Sequence, residues 1–404
     1  MTESPHDTMI DRIAGAALAD GSRVDVTIAD GRIAAVTPAT AVPATGAHDL
    51  SGYVLLGAAA EPHAHLDKAL SWDAIRSPMG DLRAAIAAWR VYAETMTVAD
   101  VTERARTQVL RMLRNGTTAI RTHVDVLLGD APLRGVEALV SLREELAALV
   151  DIEIVALAGP DVPTAHLEAA LDAGADVVGG ASHLADDPIA DLHRLLDVAE
   201  RRGVPVDLHT DEGLAAAVTL DTYARRTRDW SQNRSAGHCV RLGTLDEPVR
   251  DEVIAEVVAS GVGIIANPIT NLSLQGWGVP VATPRGIAPA RTLLSAGARF
   301  AAGADNVRDP FNPLGRGDAL ETAMLLVVAA HLTADEAYTA VSAGAREVMG
   351  LPEAGVLVGA RADLLAVRAD SLVQAIAEAP ADRLVIRGGR IVAATRTEGW
   401  VAAP

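Results

Sequence analysis

The chain has 404 residues, of which 50% are hydrophobic and only 3% aromatic, and its formal net charge is −18 at pH 7. This charge argues against nucleic acid or an anionic membrane as a partner, because both are bound through a basic face. The single cysteine, Cys239, excludes an internal disulfide framework. Together with a polar first stretch that lacks an apolar signal core, it predicts a cytoplasmic protein. No stretch approaches the roughly 20 apolar residues that span a bilayer.

Short strands joined by tight turns are predicted at both ends of the chain. Residues 24–28 and 32–36 flank an Asp-Gly turn and indicate a hairpin, and residues 383–386 lead into a second hairpin through a Gly-Gly turn. Each end alone is too small to bury a core. We therefore expect residues 1–56 and 352–404 to combine into one small β-sandwich module.

The middle of the chain, residues 57–351, alternates between helical segments and short apolar runs. The predicted helical segments include residues 100–115, 133–149, 189–202 and 245–259. The apolar runs between such segments are residues 117–122, 152–157, 175–179, 204–208, 261–266 and 299–302. Such alternation predicts an α/β protein whose catalytic domain is a (β/α)8 TIM-like barrel of about 250 residues or more.

Two histidines stand one residue apart in the stretch Glu-Pro-His-Ala-His-Leu-Asp-Lys, residues 61–68. The apolar residues 53–60 before it read as one buried strand. Since residues i and i+2 of a strand face the same side, His63 and His65 can converge on one point. Converging imidazoles suit Zn²⁺ or Fe²⁺, although two ordinary histidines could also stand here. Lys68 is the only lysine of the chain.

The catalytic groups of such a barrel lie at the carboxyl ends of its strands. Polar residues follow the apolar runs at His63, His65, His123, Asp125, His183, His209, Asp211, Glu212, His238, Asn267, Asn271, Asp305 and Asn306. Among them, His123 and His183 are candidates for orienting the groups that do the chemistry. The remaining histidines are interpreted as ordinary solvated residues; they are His6, His48, His166, His193 and His331.

Three imidazoles and one carboxylate make a site for a divalent ion with room for a water. The ion lowers the pKa of that water and so provides a hydroxide nucleophile near neutral pH. Glu212 could move a proton between this water and a leaving group. Alternatively, it could be a carboxylate that is favoured at a helix N-terminus. Strand alternation by itself favours Asp211, which shares the parity of His209.

With these motifs the sequence resembles the amidohydrolase superfamily, and within it the cytosine deaminase-like branch, over nearly the whole chain. The motifs are Pro62–Asp67, Arg121–Val126, His209–Glu212, Gly237-His238, Ala266–Pro268 with Asn271 and residues 274–276, and residues 305–315.

The resemblance implies the metal ligands of a mononuclear site, which are His63, His65, His209 and Asp305. The ion is one Zn²⁺ or Fe²⁺. By the same resemblance Glu212 is the proton shuttle, His238 orients the hydroxide, and Asp305 also accepts the proton of the water. Binuclear members carry a modified lysine on the fourth strand, whereas Lys68 follows the first.

The sequence departs from the cytosine-specific pattern at three positions that the resemblance assigns to substrate binding. Gly159 stands where a glutamine is expected, Asn306 replaces an aspartate, and Phe311 replaces a tryptophan. Sites that read a substrate through buried polar groups discriminate strongly. We therefore expect a pterin or an aminotriazine to fit at least as well as cytosine.

The predicted function is thus a metal-dependent hydrolytic deaminase of an aminated N-heterocycle, which releases ammonia. A related hydrolase that cleaves an N-alkylamino group or a cyclic amide is the alternative. A non-catalytic scaffold barrel is a third hypothesis, and the presence of all four ligands together with Glu212 argues against it. We expect a small heterocycle and a second copy of the chain as partners, in a homo-oligomer.

Overall fold

The computed structural model describes residues 8–42 and 44–402. His6 and the first part of the polar N-terminal stretch lie outside the described residues. The strands of the described part are β1 (Arg12–Ala17), β2 (Arg23–Ala29), β3 (Arg32–Pro38), β4 (His48–Asp49), β5 (Val54–Gly57), β6 (Ala59–Ala64), β7 (Thr117–Asp125), β8 (Asp151–Ala158), β9 (Val177–Gly180), β10 (Val206–Thr210), β11 (Arg234–His238), β12 (Gly263–Ala266), β13 (Phe300–Ala302), β14 (Leu364–Val367), β15 (Arg383–Arg387) and β16 (Arg390–Thr395).

Most of the helices lie between the strands of the middle region. They are α1 (Trp72–Ile75), α2 (Leu82–Ala93), α3 (Val98–Arg114), α4 (Arg134–Leu146), α5 (Thr164–Asp172), α6 (Pro188–Arg202), α7 (Leu220–Arg226), α8 (Glu247–Ser260), α9 (Pro268–Leu274), α10 (Ala290–Ser295), α11 (Ala319–Ala330), α12 (Ala334–Ala340), α13 (Ala343–Met349) and α14 (Leu372–Glu378). In the described ranges, none of them has the length and apolar character that crossing a membrane requires.

Strands β6 to β13 form one parallel sheet in which neighbours in the chain are neighbours in space. The sheet closes on itself where the chain leaves β13. There the backbone N–H of Asp305 donates to the carbonyl of His63 at 2.9 Å, and Ala64 and Asp305 form a parallel bridge. The predicted eight-stranded barrel is therefore confirmed. Its closing seam lies at the paired histidines.

The helices around the barrel begin and end where local chemistry predicts. In α6 the Asp187 carboxylate accepts the Ala190 N–H, Pro188 occupies the first turn, and Gly203 ends the helix at φ +64°. In α3 the buried residues Val101, Ala105 and Val109 recur every fourth position, so one face packs on the barrel. Fully burying one such valine contributes roughly 1.5–3 kcal/mol relative to leaving it exposed.

The two ends of the chain form a separate β module, as predicted. Its strand order is β16-β15-β14-β5-β1-β2-β3, with β4 paired to β1. The N- and C-terminal parts join where β14 runs antiparallel to β5. The sheet folds over on itself. The N–H of Ala362, just before β14, donates to the carbonyl of Gly31 in the β2–β3 turn at 2.8 Å, and the N–H of Ile10, just before β1, donates to the carbonyl of Gly389 in the β15–β16 turn at 2.7 Å. A core that includes Ile13 fills the interior.

The expectation of one continuous strand over residues 53–60 is wrong. The run divides at Ala58, so β5 belongs to the terminal module and β6 to the barrel. Ala58 donates to Asp363 of the module, and Ala59 donates to Gly116 of the barrel. Both halves are buried and apolar, so the sequence pattern does not show that the chain passes from one sheet to the other at Ala58.

Candidate active site

The predicted ligands lie together at the carboxyl end of the barrel. His63 is the second-to-last residue of β6, and His65 directly follows this strand. His209 lies near the end of β10, and Asp305 lies just beyond β13. All four are at most 8% exposed. Parallel strands of a barrel end at one rim, so residues that are far apart in sequence converge there.

The distances between these side chains are those of a small polar cage. Nε2 of His209 lies 3.3 Å from Nε2 of His63 and 3.1 Å from Nε2 of His65. Oδ1 of Asp305 lies 3.2 Å from Nε2 of His65 and 3.8 Å from Nε2 of His63. Three imidazoles therefore aim the same ring nitrogen at one point, and a carboxylate faces them.

The protonation states of the cage suit a cation. Burial lowers the pKa of His63 and His209 well below the usual value, and it lowers that of His65 to about 4, helped by the charge of Lys68. These imidazoles are neutral and able to ligate. Both carboxylate oxygens of Asp305 are buried without a hydrogen-bond partner among the described residues. Because unpaired buried polar atoms are costly, the residues present fit a divalent metal ion.

A second group of potential ligands, His63, His123 and Asp207, lies deeper in the barrel. Here Asp207 accepts a hydrogen bond from the buried guanidinium of Arg121 at 2.9 Å. Arg121 also pairs with Glu153. A cation at this place would face the fixed positive charge of Arg121. The group is therefore a structural ion-pair layer under the cage, and His123 packs against His63 with ring centroids 4.0 Å apart.

Glu212 and His238 flank the cage on its open side. Oε1 of Glu212 lies 3.7 Å from Nδ1 of His238. Nδ1 of His238 lies 3.9 Å from Oδ2 of Asp305 and 3.0 Å from Nδ2 of Asn271. Burial opposes the ionisation of Glu212, but His238 and His183 outweigh it and lower its pKa to about 2. Glu212 is thus ionised in the protein without a bound substrate.

Asp211, which strand alternation favours, has other partners. Strand β10 ends at Thr210. The Asp211 carboxylate accepts hydrogen bonds from the N–H and the hydroxyl of Thr219 and from the N–H of Leu220, at 2.9, 2.7 and 3.2 Å. It therefore holds the start of α7. The chain leaves the strand at this point, and Glu212 faces the cage instead.

Backbone strain is concentrated at the same rim. Asp211, His238 and Asp305 have φ values of +49°, +70° and +57°, in the left-handed region that most side chains avoid. Each such residue costs on the order of 1–3 kcal/mol and persists only where the surrounding structure fixes it. The cage and its neighbours are therefore held in place by the barrel.

A cavity of about 1190 Å³ opens above the cage. Gly159, Asn306 and Phe311 all line it. A Cβ on Gly159 would meet no atom within 4 Å, so the cavity is open on that wall. The side chain of Asn306 donates to Oδ2 of Asp309 at 2.7 Å.

Several residues of the site were not predicted from the sequence. Helix α2 covers the cavity and contributes Leu82, Ile86 and Trp89 to its wall. Lys68 and Asp125, which the sequence already singled out, also line the cavity, and they form an ion pair that the sequence did not indicate. Nothing in the local pattern of α2 indicates that it faces a cavity.

Glu61 closes the barrel beneath the cage. Its carboxylate accepts the backbone N–H of His63 and that of Ala304, both at 2.9 Å. Burial raises its pKa to about 8. Glu61 thus ties the strand that carries the paired histidines to the segment that carries Asp305.

Proteins of known structure and activity resemble this chain over nearly all of its length. A pterin deaminase of Rhizobium rhizogenes is 30% identical over 394 residues, which span 92% of this chain and 88% of that protein. The structure of a 5-methylcytosine deaminase from Klebsiella pneumoniae bound to 5-fluorocytosine matches with a TM-score of 0.88 and 27% identity, covering 97% of this chain and 99% of that one.

A further structural relative differs in the named reaction. The N-isopropylammelide isopropylaminohydrolase of Burkholderia multivorans matches with a TM-score of 0.81 and 32% identity, covering 95% of this chain and 98% of that one. Residues 102–393 also match the sequence pattern described as the Amidohydrolase family. With the barrel, the buried histidine and aspartate cage and these similarities established, the chain belongs to the amidohydrolase family.

Proposed function

We propose that this protein is a metal-dependent hydrolytic deaminase of aminated N-heterocycles. The convergence of three neutral imidazoles and the unpaired Asp305 carboxylate beneath the cavity carries this proposal. The resemblance to a pterin deaminase and a 5-methylcytosine deaminase supports the same class of reaction. In this reaction water adds to the amino-bearing ring carbon, and ammonia leaves.

The proposed metal ligands are His63, His65, His209 and Asp305. A divalent ion held there supplies a water of lowered pKa and a positive charge at the reacting carbon. Both Zn²⁺ and Fe²⁺ accept imidazole and carboxylate ligands, and we propose that either supports activity.

Proton transfer falls to the residues on the open side of the cage. The Glu212 carboxylate accepts one proton of the water at Oε1 or Oε2 and passes it to the ring nitrogen. His238, held by Asn271 at 3.0 Å, orients the attacking water. Asp305 takes the other proton of the water and passes it to the amino nitrogen, so that the C–N bond breaks and ammonia leaves.

The size of the cavity supports a substrate larger than a single pyrimidine. A volume of about 1190 Å³ exceeds the roughly 300–1,000 Å³ of typical ligand pockets. The open wall at Gly159 leaves room for a second ring. We therefore propose a pterin-like or substituted triazine substrate, with Gly159, Asn306 and Phe311 in contact with it.

An aminohydrolase that releases an alkylamine is the second candidate. The observation that favours it is the apolar cavity wall, where Leu82, Ile86 and Leu127 could hold an alkyl substituent. A related hydrolase of a cyclic amide would use the same cage. The cleaved bond distinguishes these possibilities, because deamination yields ammonia, alkylamine release yields an amine, and ring opening yields a carboxylate.

We further propose that the protein binds neither nucleic acids nor membranes, that it is cytoplasmic, and that it forms a homo-oligomer. The net charge of −18 is unfavourable for nucleic acids and anionic membranes. A single buried free thiol suits the reducing cytoplasm. Exposed apolar residues, including Trp277 and Val281, are available for a homo-oligomer contact.

Product analysis across a panel of compounds tests the proposed function. The metal-loaded protein is incubated with aminated pyrimidines, pterins, purines, triazines and N-alkylaminotriazines, and the products are identified by mass spectrometry. We expect ammonia and the corresponding oxo ring, with a pterin or triazine among the best substrates. Release of an alkylamine alone would favour the second candidate.

A further inference from the structure

Lys68 is the one lysine of the chain and points at the cavity from a buried position. Lys68 is only 2% exposed. Nζ donates to Oδ1 of Asp125 at 2.8 Å and to Oδ2 of Asp67 at 3.3 Å. The indole ring of Trp89 lies below it, with the ring centroid 5.3 Å from Nζ. Lys68, Asp125 and Trp89 all line the cavity.

A buried lysine between two carboxylates could be purely structural. An ammonium group, however, has three hydrogens to donate. The two carboxylates accept two of them. The third polar neighbour is Nδ1 of His65, at 3.4 Å from Nζ.

Nδ1 of His65 is a poor acceptor when the cage is loaded. The opposite ring nitrogen, Nε2, faces His209 at 3.1 Å and Asp305 at 3.2 Å. A cation bound at Nε2 leaves the proton of the neutral imidazole on Nδ1, which then donates and cannot accept. Among the described residues, the third hydrogen of Lys68 therefore has no acceptor, and it is free for a ligand in the cavity.

We propose that Lys68 is a substrate-binding residue that donates a hydrogen bond to an oxo oxygen of the heterocycle. This inference rests on the proposed deaminase function and refines its substrate class to amino-oxo heterocycles. Gly159 stands where the resemblance places a glutamine, and it offers no side chain to a ligand. Lys68, beside the histidine pair, is a buried cation that lines the cavity and can supply a donor instead.

A buried donor that is matched to one acceptor discriminates against rings that lack this acceptor. The donor remains unpaired in such a complex, and hydrogen bonds to charged groups are worth roughly 1.5–3 kcal/mol. We expect the wild-type enzyme to prefer the oxo member of a matched pair of substrates for this reason. The two carboxylates fix the ammonium in place, so that little side-chain entropy is lost on binding.

The test uses pairs of substrates that differ in the oxo group alone. Cytosine is compared with 4-aminopyrimidine, and pterin with 2-aminopteridine. For each pair, the ratio of the two kcat/KM values is measured in the wild type, Lys68→Met and Lys68→Arg. Since each ratio is taken within one enzyme preparation, the fraction of folded or metal-loaded protein cancels. Comparing the ratio between variants cancels the intrinsic reactivity of the rings.

We expect Lys68→Met to lower the oxo-to-deoxo ratio about 10- to 100-fold, the change that follows from loss of one charged hydrogen bond. Lys68→Arg should retain part of the preference because it keeps a charged donor. Arg106→Met removes a surface cation that pairs with Glu145, and it should leave the ratio unchanged.

An unchanged ratio in Lys68→Met, in an enzyme that deaminates at least one pair, would overturn the assignment and leave the proposed function standing. If the wild type released no ammonia from any compound, the proposed function would fail instead. Calorimetric binding of the oxo rings uracil and lumazine then decides on Lys68 alone. Equal affinity in the wild type and Lys68→Met would contradict the inference, and so would the absence of binding to the wild type.

Discussion

Nε2 of His65 lies 3.2 Å from Oδ1 of Asp305, although these residues flank the first and the last strand of the barrel. The same two segments are joined by the hydrogen bond that closes the barrel, from Asp305 N–H to His63 O. The proposed metal site is therefore built on the closing seam. An ion that binds the folded form there should stabilise the whole domain.

Replacing Asp305 by alanine should abolish stable metal binding. The variant loses the only carboxylate of the proposed ligand set, and three neutral imidazoles remain. We expect about one equivalent of Zn²⁺ or Fe²⁺ in the wild type by elemental analysis, and much less in the variant after dialysis. His331→Asn is the matched control, since it removes an exposed histidine at the end of α11. A full equivalent in Asp305→Ala would contradict the ligand assignment.

Metal affinity should decrease as the pH is lowered below 7. Burial, reinforced by the charge of Glu212, raises the pKa of Asp305 to about 7 in the metal-free protein. The carboxyl must lose its proton to ligate, so affinity should drop about tenfold for each pH unit below 7. The imidazole of His65 begins to compete only near its pKa of about 4. Chelator competition between pH 5 and 8 measures the slope, and a flat profile would contradict this linkage.

Glu212→Gln should retain the metal and bind substrate, but lose on the order of 10²–10⁴ in kcat. The amide has nearly the shape of the carboxylate but cannot accept and return a proton. The pKa of Glu212 in the wild type should rise when substrate closes the site, because exclusion of water disfavours the charged form. Single-turnover kinetics on the metal-replete variant is the measurement.

Near-wild-type turnover in Glu212→Gln would show that another group moves the proton. Asp211 is unsuitable, because its carboxylate is occupied by Thr219 and Leu220 at the start of α7. His183, whose Nε2 lies 3.7 Å from Oε2 of Glu212, would be the next residue to replace.

The sequence indicated the barrel and the polar residues at its rim, because both leave local signals. Strand–helix alternation and a polar residue after an apolar run are visible within about ten positions. The choice between Asp211 and Glu212 as the proton shuttle depends on the conformation of the turn after β10, and strand alternation does not predict that conformation.

Other features depend on contacts between distant segments. The boundary at Ala58 is set by partners in two different sheets, and both sides of it are equally apolar. Helix α2 is held over the cavity by Trp89, whose indole N–H donates to Oδ2 of Asp125 at 2.7 Å. The sequence pattern of α2 cannot indicate a hydrogen-bond partner that is 36 residues away in the chain.

Cys239→Ser should leave catalysis almost unchanged. The strand ends at His238, and Cys239 follows in a left-handed conformation with φ +50°. Its buried Sγ lies 3.7 Å from the carbonyl of Ala236 and 3.8 Å from that of Gly237, and the residue belongs to the main hydrophobic core. Burial raises the pKa of the thiol, so no thiolate nucleophile is present. We expect a lower Tm and nearly normal kcat/KM. Abolished turnover with the metal still bound would contradict a structural role.

Metal-dependent release of ammonia is the most direct test of the central claim. The protein is stripped with a chelator, reconstituted with one equivalent of Zn²⁺ or Fe²⁺, and assayed with the best compound from the panel, alongside Asp305→Ala and Glu212→Gln. We expect rapid ammonia release from the reconstituted wild type, slow release from the metal-bound Glu212→Gln, and none from the metal-free protein or from Asp305→Ala. Equal ammonia release by the stripped protein, or by Asp305→Ala, would contradict it.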